Sequence, residues 1–242
     1  MMIRRREFFP LIFAILATGL GSCGASISGR LEQGGTGDFN ISASLAPAVT
    51  GKIRDFLALS QENPNGGELL INASAIAFSM SQAPGVAQAV FRNTGPSSLE
   101  GPVKISSIGD FLAPSGKAGF ISFQENPGGG GRAAITISRE SAPDMLALIS
   151  ADVSYNLMLL FAPIATGDNL SKEEYLTQVN LIHGEAVASE INQALIRASV
   201  EFPGPLVSVK GGLVSGRKAE FTIPLVDLLV LERPLIYEVV WR

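Results

Sequence analysis

The sequence predicts an α+β protein with antiparallel sheet or sheets covered by helices. Three observations support this fold class. Segments with the period-two alternation of strands fall in the N-terminal and C-terminal parts of the chain, a helical segment at about 142–193 lies between them, and turns rich in Gly and Pro separate the elements. We therefore expect the helical segment to be inserted between two strand-rich parts.

The first predicted element is a hairpin, with strands at 26–32 and 38–45 around the turn 33–37. In the second strand, apolar residues alternate with polar ones, which is typical of a strand with one face in water. The apolar positions are Phe39, Ile41, Ala43 and Leu45.

Two helices should follow this hairpin. Pro47 suits the first turn of a helix, where its missing N–H costs nothing. The first helix is amphipathic and ends at the turn 61–67, and the second is predicted at about 72–82. The apolar positions of the first helix recur at spacings of three and four: Val49, Ile53, Phe56 and Leu57.

Strands are predicted next at 86–92, 103–107, 119–124 and 133–139. The last two should pair across a Gly-rich tip at 126–131. This tip lacks the Gly-Lys-Ser/Thr ending of a phosphate-binding loop and lies between two strands, so we interpret it as a turn.

The helical segment contains two long amphipathic patterns. The first covers 144–161, and its final run, Leu157 to Phe161, is apolar on all sides, which predicts full burial. In the second, Ser171 and Glu174 have the spacing of a capping box at a helix start. Gly184 should bend this helix before it continues.

The C-terminal part returns to strands, predicted at 196–202, 206–209, 218–223 and 235–241. We expect the second and third to pair around Gly211, Gly212 and Gly216. Between them and the last strand lies a short, very apolar element, 224–231. The chain ends inside a strand, so truncation there should damage the fold.

Residues 1–22 have the order of a secretory signal peptide: Arg4, Arg5 and Arg6, then a short apolar run, then small residues. The four residues Leu20-Gly21-Ser22-Cys23 resemble a bacterial lipobox. The resemblance implies cleavage between Ser22 and Cys23, a diacylglycerol on the Cys23 thiol, and often a further acyl chain such as palmitate. We expect residues 1–22 to be removed and 23–242 to form a single domain.

An uncleaved transmembrane anchor is the alternative. The apolar run Phe8 to Leu20 has 13 residues, whereas a spanning helix needs about 20. Cys23 is the only cysteine, and exported cysteines are normally paired. Lipidation explains both features and predicts a protein of the bacterial cell envelope. Its lipid would anchor it to the periplasmic face of an outer membrane or to the outer face of the cytoplasmic membrane.

The charge of the chain restricts its partners. Residues 1–22 hold three of the 18 basic and one of the 22 acidic residues, so their removal leaves 15 basic and 21 acidic residues. An acidic surface repels phosphate backbones, so nucleic acid is not expected as a partner.

Few side chains suggest catalysis, and we expect no enzyme, no cofactor and no metal site. A zinc site needs three or four ligands. His183 is the only histidine, and with Cys23 lipidated the chain offers it only carboxylates as co-ligands, which do not cluster around it in the sequence. His183 and Glu185 could form a base and its orienting partner, but no Gly-x-Ser-x-Gly elbow supplies a nucleophile. Glu173 and Glu174 fit the helix start. Asp227, the one charge within 224–231, could cap a turn, lie at a rim or be a buried carboxylate.

The C-terminal third contains 200–204 (Val-Glu-Phe-Pro-Gly), then Gly211, Gly212 and Gly216, and then 221–225 (Phe-Thr-Ile-Pro-Leu). This succession resembles the ending of LppM-type envelope lipoproteins. The opening hairpin directly after a lipobox is also similar. The resemblance implies an α+β lipoprotein domain without catalytic residues, associated with binding lipids or glycolipids, and it transfers no ligand residues.

Two non-enzymatic functions follow as hypotheses. In the first, an apolar groove between sheet and helices binds a lipid or other hydrophobic ligand. In the second, the anchored domain presents a sheet edge or an apolar patch, such as 224–231, to another envelope protein. A carrier should contain an enclosed apolar cavity, whereas an assembly protein should have a packed core and an exposed apolar surface.

Overall fold

The computed structural model of this 242-residue chain describes residues 24–59, 69–112, 120–146, 157–158 and 160–242, without the side chains of 57–59, 112, 144 and 145. The predicted signal peptide, the lipobox, the turn 61–67 and part of the predicted helix 144–161 lie outside the described residues. Within them, the protein is α+β with two mostly antiparallel sheets, so the predicted fold class is confirmed.

The larger sheet, sheet A, contains eight strands. They are β1 (Gly24–Leu31), β2 (Gly37–Ser44), β3 (Val86–Ala89), β4 (Arg92–Gly95), β5 (Ser98–Ile105), β8 (Leu195–Glu201), β10 (Leu213–Ser215) and β11 (Lys218–Pro224). Their order is β10-β11-β8-β1-β2-β5, after which β3 and β4 both pair with β5. The predicted N-terminal hairpin is confirmed as β1 and β2. All neighbours are antiparallel except β1 and β8, which the helical segment separates in sequence.

The smaller sheet, sheet B, has four strands in the order β6-β7-β12-β9. They are β6 (Ile121–Glu125), β7 (Gly131–Ile137), β9 (Leu206–Lys210) and β12 (Leu235–Trp241). The Gly-rich tip at 126–131 joins β6 to β7 as a hairpin, which confirms the turn interpretation. The C-terminal strand β12 lies between β7 and β9 in the interior of this sheet.

Eight helices occur in the described ranges. They are α1 (Pro47–Leu59), α2 (Ala73–Ser81), α3 (Ile108–Leu112), α4 (Ala142–Leu146), α5 (Pro163–Thr166), α6 (Lys172–His183), α7 (Glu185–Gln193) and α8 (Leu225–Val230). The predicted capping box is present, since the Glu174 amide donates to the Ser171 hydroxyl at 3.2 Å and the Ser171 amide donates to the Glu174 carboxylate at 2.7 Å. Gly184, at φ 93°, separates α6 from α7 as predicted.

The predicted pairing of 206–209 with 218–223 is wrong. Strand β9 pairs with β12 in sheet B, and β11 pairs with β8 in sheet A. Gly211 and Gly212 carry the chain from one sheet to the other; a Cβ on Gly211 would lie 2.5 Å from the Ile236 carbonyl oxygen, and one on Gly212 would lie 2.6 Å from that of Glu220. This close approach to both sheets requires glycine.

The main core lies between sheet A and the helices. The apolar residues of β2 face the core and are buried, while Asp38 and Asn40 face water, as the sequence pattern predicts. Large side chains with less than 2% exposure fill this layer: Ile41, Val49, Met80, Leu99, Val103, Phe111, Leu160, Tyr175, Ile191 and Leu225. A second, smaller cluster joins sheet A to sheet B around Phe202 and Trp241.

Two predictions about apolar segments need correction. The segment 224–231 is not an exposed patch, because α8 buries five of its six residues and Leu231 is also buried. The run Leu157 to Phe161 is only partly buried: Leu157 and Leu160 are buried, but Met158 and Phe161 are 49% and 38% exposed. An apolar sequence predicts burial only where a neighbouring element covers every side of it.

Candidate functional site

Strand β1 begins at the residue that follows the predicted lipidation site. Gly24 is its first residue, at φ 100°, and pairs with Ser44 of β2. A Cβ at this position would lie 2.2 Å from the Leu195 carbonyl oxygen, so only glycine fits. Ser22 and Cys23 themselves lie outside the described residues, and their predicted cleavage and lipidation stay predictions.

His183 ends α6 in an aromatic environment. Its ring is buried and lies 5.9 Å from the rings of both Phe56 and Phe161. Glu185, the other member of the predicted pair, is exposed in the first turn of α7. The imidazole of His183 therefore packs against two phenyl rings. The predicted absence of catalysis stays a prediction.

Asp227 lies at a rim, which is one of the three positions considered for it. Its carboxylate forms an ion pair with the Lys172 ammonium at 3.4 Å, and both side chains are more than a third exposed. Its charge also reaches Tyr237, where burial first and the Asp227 carboxylate second raise the pKa of the phenol. An exposed ion pair of this kind contributes little to stability.

Glu174 is a capping residue, as its spacing from Ser171 indicates. The Ser171 backbone amide, followed by the Ser171 hydroxyl, lowers the pKa of the Glu174 carboxyl. Glu173 is exposed beside it in the first turn of α6. Among the residues that the structure describes, no three side chains of His, Cys, Asp or Glu are grouped so as to hold a metal ion.

The outer face of sheet A is polar and carries two open clefts. One cleft, of about 380 Å³, lies across β1, β2 and β5 and includes Ser26, Asn40 and Ser42 in its lining. The other, of about 430 Å³, lies nearer Arg30 and Glu201. The Ser26 and Ser42 hydroxyls are 2.8 Å apart and form a hydrogen bond. This face offers hydrogen-bonding groups to a polar molecule and no apolar enclosure.

A third cleft, of about 550 Å³, lies on α6 in the helical layer. Leu181 and Ile182, which are 81% and 49% exposed, contribute its apolar part. Residues of the first turns of α6, among them Glu173 and Glu174, line its polar part. The amphipathic pattern of α6 does not predict this feature, because Ile182 has the helical spacing of the buried Tyr175 and Val179.

The most exposed strand of sheet A is β10, in which Leu213, Val214 and Ser215 are all exposed. We call these three residues the β10 edge. In the described residues β10 pairs only with β11, so its other side offers backbone N–H and C=O groups. Val207 on β9 and Ile236 on β12 add exposed apolar surface in sheet B, at 60% and 38% exposure.

Sequence reasoning missed the β10 edge, although one signal was present. Leu213 and Val214 are a two-residue apolar pair bounded by Gly211-Gly212 and Gly216. We interpreted the glycines as the turn of a longer hairpin and so left these two side chains without a role. A very short strand between glycines is typical of a sheet edge.

The comparisons with known proteins give one distant likeness. No protein family model matches the chain. No curated protein matches it either. Among solved structures, the chain is similar to the NMR structure of the folded domain of LppM from Mycobacterium tuberculosis, with 12% identity, a TM-score of 0.38, and coverage of 90% of this chain and 88% of that one. A likeness of this size assigns neither a family nor a function.

No helix among the described residues has both the length and the apolar character that crossing a bilayer requires.

Proposed function

We propose that this protein is a bacterial envelope lipoprotein, anchored through a lipid on Cys23, that binds another envelope protein and is not an enzyme. The anchor is supported by the sequence Leu20-Gly21-Ser22-Cys23 and by the start of β1 one residue later. The binding function rests on one observation, the β10 edge.

The β10 edge has the two properties that strand addition requires. Its backbone is unpaired on one side within the described residues, and Leu213 and Val214 are 72% and 57% exposed. An extended segment of a partner would gain main-chain hydrogen bonds there and bury both side chains. The layer between sheet A and the helices supports this choice, because buried side chains fill it where a carrier would hold its ligand.

Photo-crosslinking from the full-length protein in its native envelope tests this function. A photoreactive phenylalanine analogue replaces Val214 in one variant and Asn40, exposed on the polar face of sheet A, in the matched control. We expect a discrete crosslinked protein from position 214 that is absent from position 40. We also expect Leu213→Lys to abolish it. Equal, diffuse crosslinking from both positions would overturn the proposed partner binding.

The cleft on α6 favours a second candidate, binding of a hydrophobic ligand. Leu181 and Ile182 would supply the apolar contact. Mass spectrometry of an organic extract of the Cys23→Ala protein tests it, since no covalent lipid is then present. A stoichiometric lipid that is lost in the variant Leu181→Asp would support this candidate, and an extract without lipid would reject it.

A further inference from the structure

Strand pairing places the ends of five strands of sheet A side by side, next to the predicted lipidation site. Gly24 pairs with Ser44, and Ser44 pairs with Ser98. Strand β8 runs parallel to β1, so its first residue, Leu195, lies at the same end of the sheet. Pro224 of β11 pairs with Leu195. We call this end of the sheet the anchor end.

Loops complete the anchor end. The Pro96 carbonyl accepts a hydrogen bond from the Leu70 amide at 2.8 Å, and the Ser97 carbonyl accepts one from the Leu45 amide at 2.8 Å. These bonds place the segment before α2 and the start of α1 beside the β4–β5 turn. The exposed side chains of these segments include the uncharged Pro47, Leu69, Thr94 and Pro96.

The two ends of sheet A differ in charge. Each of the strands β1, β2, β5, β8 and β11 has two terminal residues at the anchor end, and none of these is Asp, Glu, Lys or Arg. At the opposite end of the sheet, the two terminal residues of each of these strands include one charged residue. These charged residues are Arg30, Asp38, Lys104, Glu201 and Lys218.

Charged residues occur beyond these strand ends, and Asp227 of α8, three residues after Pro224, is paired with Lys172. Arg197 and Glu100 are each the third residue of their strand, roughly 7 Å from its end. Glu100 is paired with Arg92. The Glu190 carboxylate accepts hydrogen bonds from the Ala48 and Val49 amides at the start of α1. The strand ends and the exposed side chains named above are therefore apolar or neutral.

The lipid would be attached directly at this end. Cys23 is bonded to Gly24, and consecutive Cα atoms are about 3.8 Å apart. No flexible residues separate the lipidated cysteine from β1, so the domain has little freedom to turn away from the bilayer. Neutral and apolar side chains can approach the headgroup layer without the desolvation cost of a charge.

We propose that the anchor end lies against the headgroup layer of the membrane that holds the Cys23 lipid, with the charged end of sheet A directed away from it. This orientation rests on the proposed lipid anchor. It also directs the β10 edge away from the bilayer, because Ser215 pairs with Lys218 at the charged end.

Site-specific fluorescence in vesicles tests this orientation. Lipidation consumes the Cys23 thiol, and Cys23 is the only cysteine, so a second cysteine is a unique labelling site. The full-length protein is expressed with Thr94→Cys or Leu69→Cys, purified from membranes, labelled with an environment-sensitive dye and placed in phosphatidylcholine vesicles. The control carries Gln33→Cys, exposed in the β1–β2 turn at the charged end.

We expect a lipid that carries a spin label near its headgroup to quench the dye at least twofold more at positions 94 and 69 than at position 33. Equal quenching at all three positions in a protein whose mass includes the lipid would overturn the orientation and leave the anchor intact. A protein whose mass lacks the lipid would overturn the anchor, and the orientation with it.

Discussion

The carboxylate of Glu190 on α7 accepts hydrogen bonds from the backbone amides of Ala48 and Val49, each at 3.0 Å. Helix α1 has no acidic residue in its first turn. Glu190 therefore acts as the N-terminal cap of a helix whose capped amides are 142 and 141 residues away in sequence, and it joins two helices of the layer that covers sheet A.

Removing this cap should destabilise the protein. We expect Glu190→Ala to lower the free energy of unfolding by about 2 kcal/mol, because two amides lose a charged acceptor. Urea denaturation measures this change. The matched control Glu185→Ala, exposed in the first turn of α7, should cost well under 1 kcal/mol. Equal effects of the two substitutions would contradict the capping role.

Two glycines should respond to alanine in opposite directions. A Cβ on Gly101 of β5 would lie 1.9 Å from the Val90 carbonyl oxygen, while one on Gly51 of α1 has no atom within 4 Å. We expect Gly101→Ala to destabilise the protein by more than about 1 kcal/mol, and Gly51→Ala to stabilise it by about 0.5 to 1 kcal/mol. Thermal unfolding of both variants checks this contrast, and a stabilised Gly101→Ala would refute it.

The lowered pKa of Glu174 predicts a pH dependence. A carboxyl whose pKa is lowered by folding adds stability above its unfolded pKa, about 4.3, and loses that contribution as the pH falls through its folded pKa. An NMR titration of the full chain should therefore place the pKa of Glu174 below the usual range. Ser171→Ala should raise this pKa only in part, because the backbone amide of residue 171 remains. A normal pKa in the unsubstituted protein would contradict the capping box.

The C-terminal strand should be essential to the fold. Trp241 is 2% exposed, and its ring lies 5.1 Å from Phe202 and 5.8 Å from Phe123. We expect Trp241→Ala to cost about 3 to 5 kcal/mol. The control Arg242→Ala should cost little, because the side chain is exposed and the Arg242 amide still donates to the Pro205 carbonyl. Far-UV circular dichroism during urea denaturation measures the free energy of unfolding of both variants, and a tolerated Trp241→Ala would contradict the inter-sheet core.

Individual strands and helix starts were predictable from sequence where a short pattern of residues indicates one local structure. The alternation from Phe39 to Ala43 predicts β2 and its buried face, and Ser171 with Glu174 predicts the start of α6. Such signals act within a few residues, so they need no knowledge of the remaining fold.

Pairing between distant strands was not predictable in the same way. Strands β9 and β11 are close in sequence and separated by glycines, yet they belong to different sheets. Their partners, β12 and β8, are chosen by which faces can be buried against the helices and between the sheets. For the same reason 224–231 is core and the β10 edge is exposed. Of the two surfaces that we expected a partner to use, the apolar patch 224–231 is therefore wrong, and a sheet edge is exposed.

Intact-mass measurement of the full-length protein recovered from bacterial membranes tests the lipid anchor most directly. The anchor predicts a mature N-terminus at Cys23 carrying a diacylglycerol, and a Cys23→Ala variant without that added mass that is not retained on the membrane. An unmodified Cys23, or a chain that keeps residues 1–22, would contradict it.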